Sequence, residues 1–267
     1  MNHLLRSLAP VADSGWELLD EEARSRLKGA LAARKLVDFR GPLGWEHSAT
    51  NLGRTSEVQA VPGKGVTALQ RLVLPLVELR ADFTISLSEL RDHDRGALDV
   101  DLEDLDAAAS RIAVAENSAV FHGWKEAAIT GIVPTSPHKA LPLGDDAEAY
   151  PRAVASAVEQ LLHSGISGPY GLALGRDQFT RVVESAEHGG YPLLDHLRKI
   201  LEGPIAWAPG VKGGVVLSLR GGDFLFECGQ DLSIGYAGHD GDAVRLYLEE
   251  SFSFLVATPE AAVPLMP

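Results

Sequence analysis

Arg220-Gly221-Gly222-Asp223-Phe224-Leu225-Phe226-Glu227-Cys228-Gly229-Gln230-Asp231-Leu232-Ser233-Ile234-Gly235-Tyr236 is the stretch on which the reading of this 267-residue chain turns. Gly221-Gly222-Asp223 separates two β-rich runs, Val215 to Leu219 and Phe224 to Cys228. Glycine takes a positive φ at no steric cost, so the spacing predicts a tight hairpin. Gln230 to Tyr236 reads as a loop that shows Leu232 and Ile234 with little polar cover. Apolar side chains on a loop call for something to dock on them.

Beyond this stretch, Asp242 to Val256 alternates over a length greater than that of an ordinary strand, enough to close a sheet begun earlier in the chain. The segment before it alternates helices and strands. Pro151 opens a helix with Val154, Val158, Leu161 and Leu162 on one face and Gly165 as its stop. Tyr170 to Leu174 is a strand, Asp177 caps a helix to about Ala186, and Leu193 to Leu201 is a further helix closed by Gly203-Pro204. Strands at Ile205 to Ala208 and Val215 to Leu219 then return to the opening stretch.

In the N-terminal half, Ser14-Gly15-Trp16-Glu17 fits a capping box, and Trp16, Leu19, Ala23, Leu27, Ala30 and Leu31 recur at helical spacing. Leu36 to Phe39 is a short strand. From Asn51 to Leu74 two β-leaning runs flank the turn Pro62-Gly63-Lys64-Gly65, and the outer half is polar on both faces. A long hairpin without a core of its own finds strands or surfaces on a neighbour. Leu76 to Ser86 alternates Val77, Leu79, Ala81, Phe83 and Ile85 against Glu78, Arg80, Asp82 and Thr84, the pattern of a half-buried antiparallel strand. Ser86 and Glu89 cap a short helix ending before Gly96. Acidic Asp99 to Asp104 leads into the longest helix, through Leu102, Leu105, Ala109, Ile112, Ala119 and Val120 to about Ala128.

Composition bounds the function. The net charge of −13 and pI near 5.1 argue against nucleic acid as the main partner. No apolar run approaches the roughly 18 residues of a membrane span, and Met1 to Arg6 lacks a signal peptide's apolar region, so a cytoplasmic protein is expected. Cys228 is the only cysteine, which rules out an intrachain disulfide and reads as a small buried hydrophobe. The chain has no G-x-S-x-G elbow, no phosphate-binding loop and no H-E-x-x-H helix. His239-Asp240-Gly241-Asp242, Asp92-x-Asp94 and Asp99-x-Asp101 carry too few carboxylates for a calcium site and read as solvated loops, so neither catalysis nor a metal is expected.

The opening stretch resembles the encapsulins, the linocin-like shell proteins of bacterial nanocompartments, and other matches follow in order over essentially the whole chain. They are Leu8-Ala9-Pro10, Gly41-Pro42-x-Gly44-Trp45, Glu78-Leu79-Arg80 and Gly168-Pro169-Tyr170. The resemblance implies a mixed α/β (α+β) fold like the major capsid protein of tailed bacteriophages, with an extended loop, a peripheral domain and an axial domain. It divides the chain into an N-terminal helix and strand (1–45), the extended loop (46–75), a peripheral domain with its spine helix (76–137 and 223–267) and an axial domain with a pore loop (138–222).

By the same resemblance the chain is a non-enzymatic shell subunit of type 1. Sixty copies form a closed icosahedral cage around a cargo enzyme, a dye-decolourising peroxidase or a ferritin-like iron-storage protein, with roles in iron storage and oxidative stress. The cargo docks by its C-terminal peptide. Carried onto this chain, the docking residues are Leu27, Ala30, Leu31, Arg34, Asp38, Leu232, Ile234 and Tyr236. Aliphatic anchors would enter the apolar patch while Arg34 and Asp38 hold backbone or charged ends. The plain alternative makes Leu27 and Leu31 monomer core and pairs Arg34 with Asp38. The pore loop is Glu184, Glu187, His188, Gly189, Gly190 and Tyr191, and a histidine there changes pore charge between about pH 5 and 8. Some encapsulins hold flavin on a tryptophan in the short helix after Ile85. The tryptophans here are Trp16, Trp45, Trp124 and Trp207, so no cofactor is expected. A linocin-like bacteriocin or protease and a phage major capsid protein are the competing readings.

Overall fold

In the computed structural model, which describes residues 3–144, 146, 149–185 and 191–267, two five-stranded sheets share the helices between them and a two-stranded hairpin projects from the first. The N-terminal half contributes α1 (Asp13–Ala30), α2 (Ala33–Leu36), β1 (Asp38–Arg40), β2 (Ala49–Glu57), β3 (Leu69–Pro75), β4 (Val77–Ser86), α3 (Leu87–Asp94), α4 (Glu103–His122) and α5 (Ile132–Thr135). The rest contributes β5 (Leu141–Pro142), α6 (Tyr150–His163), β6 (Tyr170–Leu174), α7 (Arg176–Glu184), α8 (Leu193–Leu201), β7 (Ile205–Trp207) and β8 (Gly214–Ser218). β9 (Phe224–Cys228), β10 (Ser233–His239), β11 (Ala243–Val256) and β12 (Ala262–Met266) complete the chain.

The glycine pair does not make a hairpin. Gly221 and Gly222 both hold positive φ, at 86° and 84°, but β8 and β9 on either side belong to different sheets. β8 is already flanked by β6 and β12, and β9 by β1 and β11, so neither has a free edge for the other. The turn is instead the crossing point between the sheets. Arg220 clamps Asp223 through two hydrogen bonds of 3.0 and 2.9 Å, and the Gly222 N–H donates to Asp38 at 2.7 Å.

β11 organises the first sheet. It pairs with β4 along Ala243–Phe252, with β10 along Val244–Glu249 and with β9 along Phe252–Val256. The expected Gln230–Tyr236 loop is therefore mostly strand. Gly235 and Gly238 hide it from a propensity reading, but Gly235 lies opposite Tyr247, whose ring stands where a Cβ would be, 2.2 Å from the nearest ring atom. The absent side chain makes the pairing possible.

The closing strand β12 was not evident in the sequence pattern, because Pro264 interrupts Ala262 to Met266. It pairs with β8 and β5, so within 223–267 the last strand lies in the second sheet rather than with β9, β10 and β11. Other boundaries also move. α1 starts at Asp13 with Ala12 as its N-cap, and the Ser14 hydroxyl donates to Asp94 instead of completing a capping box. Leu36 ends the single turn of α2 and the strand begins two residues later. α4 stops at His122 because Gly123, at φ 86°, packs against the Thr130 carbonyl where a side chain would collide. α7 is capped at Gly175, with Asp177 inside its first turn.

One apolar cluster joins the second sheet to α4, α6, α8 and the Phe224, Phe226, Phe252 and Phe254 rings of the first sheet. A second cluster packs α1 and the first half of α4 against β4, β10 and β11 through Leu19, Leu105, Ile112, Phe83 and Ile234. The hairpin of β2 and β3 joins neither, and its strands pair only with each other. Val66, Leu69 and Val73 on it are 58, 63 and 47% exposed.

Candidate functional site

A groove of about 520 Å³ runs between α1 and the start of β10. Its floor follows from helical spacing on one side and strand pairing on the other. Ala23, Leu27 and Leu31 are four residues apart and share a helix face, and Leu232, Ile234 and Leu248 meet them from the sheet. Leu4 closes one end, with its carbonyl accepting from the Tyr236 N–H at 2.8 Å. Leu27, Leu31 and Ile234 are buried while Leu232 is half-exposed, so the apolar lining is core on one side and open on the other.

The rim is polar and mixed in charge. Arg6 forms a two-point pair with Asp20 at 2.8 and 2.6 Å, donates to the Ile234 carbonyl at 2.7 Å and lies 4.6 Å over the Trp16 ring. Arg24 and Lys28, one turn apart on α1, have no acidic partner among the described residues. Arg34 forms the inner wall. Its Nε donates to Glu116 at 2.7 Å, its Nη1 to Asp231 at 2.6 Å and its Nη2 to Glu250 at 2.5 Å. Burial pulls the guanidinium's pKa down, but the surrounding carboxylates outweigh it and the net shift is upward. Burial pushes Glu116 and Glu250 above the ordinary carboxylate range.

Five of the eight expected docking residues, Leu27, Leu31, Arg34, Leu232 and Ile234, line this groove. Three do not. Ala30 faces α4 and a separate depression beside Trp207, and its carbonyl accepts from Asn117. Asp38 is committed to the Gly222 N–H and lines another cleft with Ser218 and Phe224, so it is not the partner of Arg34 either. Tyr236 is half-buried against the second core cluster, with its hydroxyl on His239. Asp20, Arg24 and Lys28 were legible from the Leu27 and Leu31 periodicity. Leu4 and Arg6 were not, since Arg6 reaches a carbonyl 228 residues away.

At the expected pore, Glu184 ends α7 and is exposed. Tyr191 packs edge-on to His196 with Lys199 4.9 Å from its ring, and this contact raises the Lys199 pKa. Glu187, His188, Gly189 and Gly190 lie outside the described residues. Asp240 accepts from the N–H groups of Asp242 and Ala243, as a turn residue does, and those bonds lower its pKa. No cluster of three metal-ligating side chains occurs among the described residues, and none of their helices is long and apolar enough to cross a membrane. Cys228 is fully buried, with burial pushing its thiol up to about 12.

The chain thus combines a protruding hairpin whose strands pair only with each other, two sheets joined by a long helix, and a groove beside α1. The family model described as an encapsulating protein for peroxidase matches residues 1–253. The chain belongs to the encapsulin shell-protein family. It is 46% identical over 270 residues to a type 1 encapsulin shell protein of Rhodospirillum rubrum, covering 99% of this chain and 96% of that one. Among solved structures it is similar to a virus-like particle from Pyrococcus furiosus, with TM-score 0.61, 21% identity and coverage of 91 and 97%. It is also similar to the capsid of the myovirus XM1, with TM-score 0.51, 11% identity and 89% coverage of both chains. The encapsulin fold here is thus the capsid-like one, and the chain is a structural shell protein rather than an enzyme.

Proposed function

We propose that sixty copies of this chain close into an icosahedral nanocompartment and that its guest, a peroxidase or a ferritin-like iron-storage protein, is held by a C-terminal peptide in the α1 and β10 groove. One observation carries the reading: the hairpin shows apolar side chains that nothing in its own subunit covers, and the groove opens onto an apolar floor. The hairpin shows Val66, Leu69 and Val73 to solvent and suits a neighbouring subunit; a closed point group satisfies every such arm without open-ended growth. The groove offers Leu27, Leu31 and Leu232 as a floor that suits an extended peptide with aliphatic anchors. A pore loop around Glu184 to Tyr191 would admit small substrates.

Purified protein is expected to elute as a megadalton-scale species and to show hollow particles by negative-stain microscopy; a monodisperse monomer overturns the shell. For the groove, co-expression with a peroxidase or ferritin-like protein that carries a C-terminal targeting peptide tests docking. Leu232→Glu is expected to abolish co-purification of that guest while particles still form, since Leu232 is half-exposed and outside the buried core. Unchanged guest content in that variant overturns the assignment of the groove.

A further inference from the structure

We propose that Glu116 of α4 and Glu250 of β11 share a single proton, and that this proton locks Arg34, and with it the inner wall of the groove, between the spine helix and the central strand. Three carboxylates, Glu116, Glu250 and Asp231, surround the one guanidinium of Arg34. Both glutamates are wholly buried, whereas Asp231 is 47% exposed and can be screened by water. Two buried negative charges against one positive charge leave an excess that burial does not tolerate. Each glutamate gives one oxygen to Arg34, while its Oε1 is buried with no donor, and the two carboxyl groups lie within hydrogen-bonding reach of each other. Two acceptors that face one another need a proton between them, the arrangement of a carboxyl dyad.

The other groups around the site sharpen the case. Phe39 of β1 and Phe226 of β9 cover the guanidinium at 5.2 and 5.4 Å. Cys228 of β9, the remaining titratable neighbour, stays neutral at physiological pH. Burial raises both carboxyl groups, and the charge of Glu116 raises Glu250 as well, so the proton belongs to the pair. A carboxyl whose folded-state pKa is raised contributes its full stability below the unfolded value and loses it as pH rises through the folded value. The lock therefore weakens towards alkaline pH. It does not depend on the groove's occupant and stands if the peptide assignment fails.

Assembled wild-type, Glu250→Gln and Glu116→Gln shells, compared by thermal melting from pH 6 to 10, test this. An amide imitates the protonated partner and has no proton to lose, so each single variant is expected to gain on the wild type progressively as pH rises, by several degrees at the alkaline end. Infrared spectra at pH 8 are expected to show a protonated-carboxyl C=O band that either substitution removes. Parallel melting curves with no band lost in either variant overturn the proposal. Loss of folding in both variants at pH 7 overturns it too, because a neutral group at one of the two positions is what the shared proton requires. If only one variant folds, its melting profile and spectrum decide the matter alone.

Discussion

β3 and β9 are both short apolar strands, yet they meet opposite fates. β9 has a neighbour on each side, β1 and β11, and four of its five residues are buried. β3 has one neighbour, β2, and six of its seven residues are exposed. Composition does not separate them, since Leu69, Leu72, Val73 and Leu74 are as apolar as Phe224, Leu225 and Phe226. What differs is how many strands the rest of this chain can supply. Contacts made inside one subunit set its stability, and the proposed assembly role of the arm rests on the contacts it leaves unmade.

The difference can be broken first by removing the arm. Replacing residues 54–71 with a two-glycine link is expected to leave a folded subunit by circular dichroism and to abolish particles by light scattering; intact cages would show that the hairpin is not an assembly contact. Next in size, Phe254→Ala empties a site that is 1% exposed and is expected to cost about 3–5 kcal/mol in denaturant unfolding. Leu69→Ser on the arm is expected to change monomer stability by less than about 0.5 kcal/mol. Gly235→Ala forces a Cβ into the Tyr247 ring, and a loss of about 1–3 kcal/mol is expected by the same measurement. A smaller loss is expected at Ser86, whose hydroxyl caps α3 by accepting from the Ser88 N–H at 3.2 Å; Ser86→Ala is expected to lower stability by about 1 kcal/mol.

The groove shows where local pattern carries a site and where it stops. Leu27 and Leu31 stand out because a helix repeats its face every three to four residues, and Leu232 and Ile234 because two apolar residues flank a serine after a run of polar ones. Arg34 and Asp38, offered as a pair in the plain alternative, stand four positions apart in the sequence. The break between α2 and β1 turns the two side chains apart, and Arg34 finds partners 82 to 216 residues away instead.

By itself the sequence determined the periodic elements. These include the faces of α1, α4 and α6, the alternation of β4 and β11, the breaker-rich arm turn and the capping role of Ser86, all of which rest on forces acting within a few residues. Only the tertiary structure decided that the Gly221-Gly222 turn joins two sheets, that β12 crosses to the second of them, and that Glu116, Glu250 and Asp231 converge on Arg34. Strand pairing and buried charge compensation are settled by which distant segments have a free edge or an unmet charge, and a residue's sequence neighbours hold no record of that.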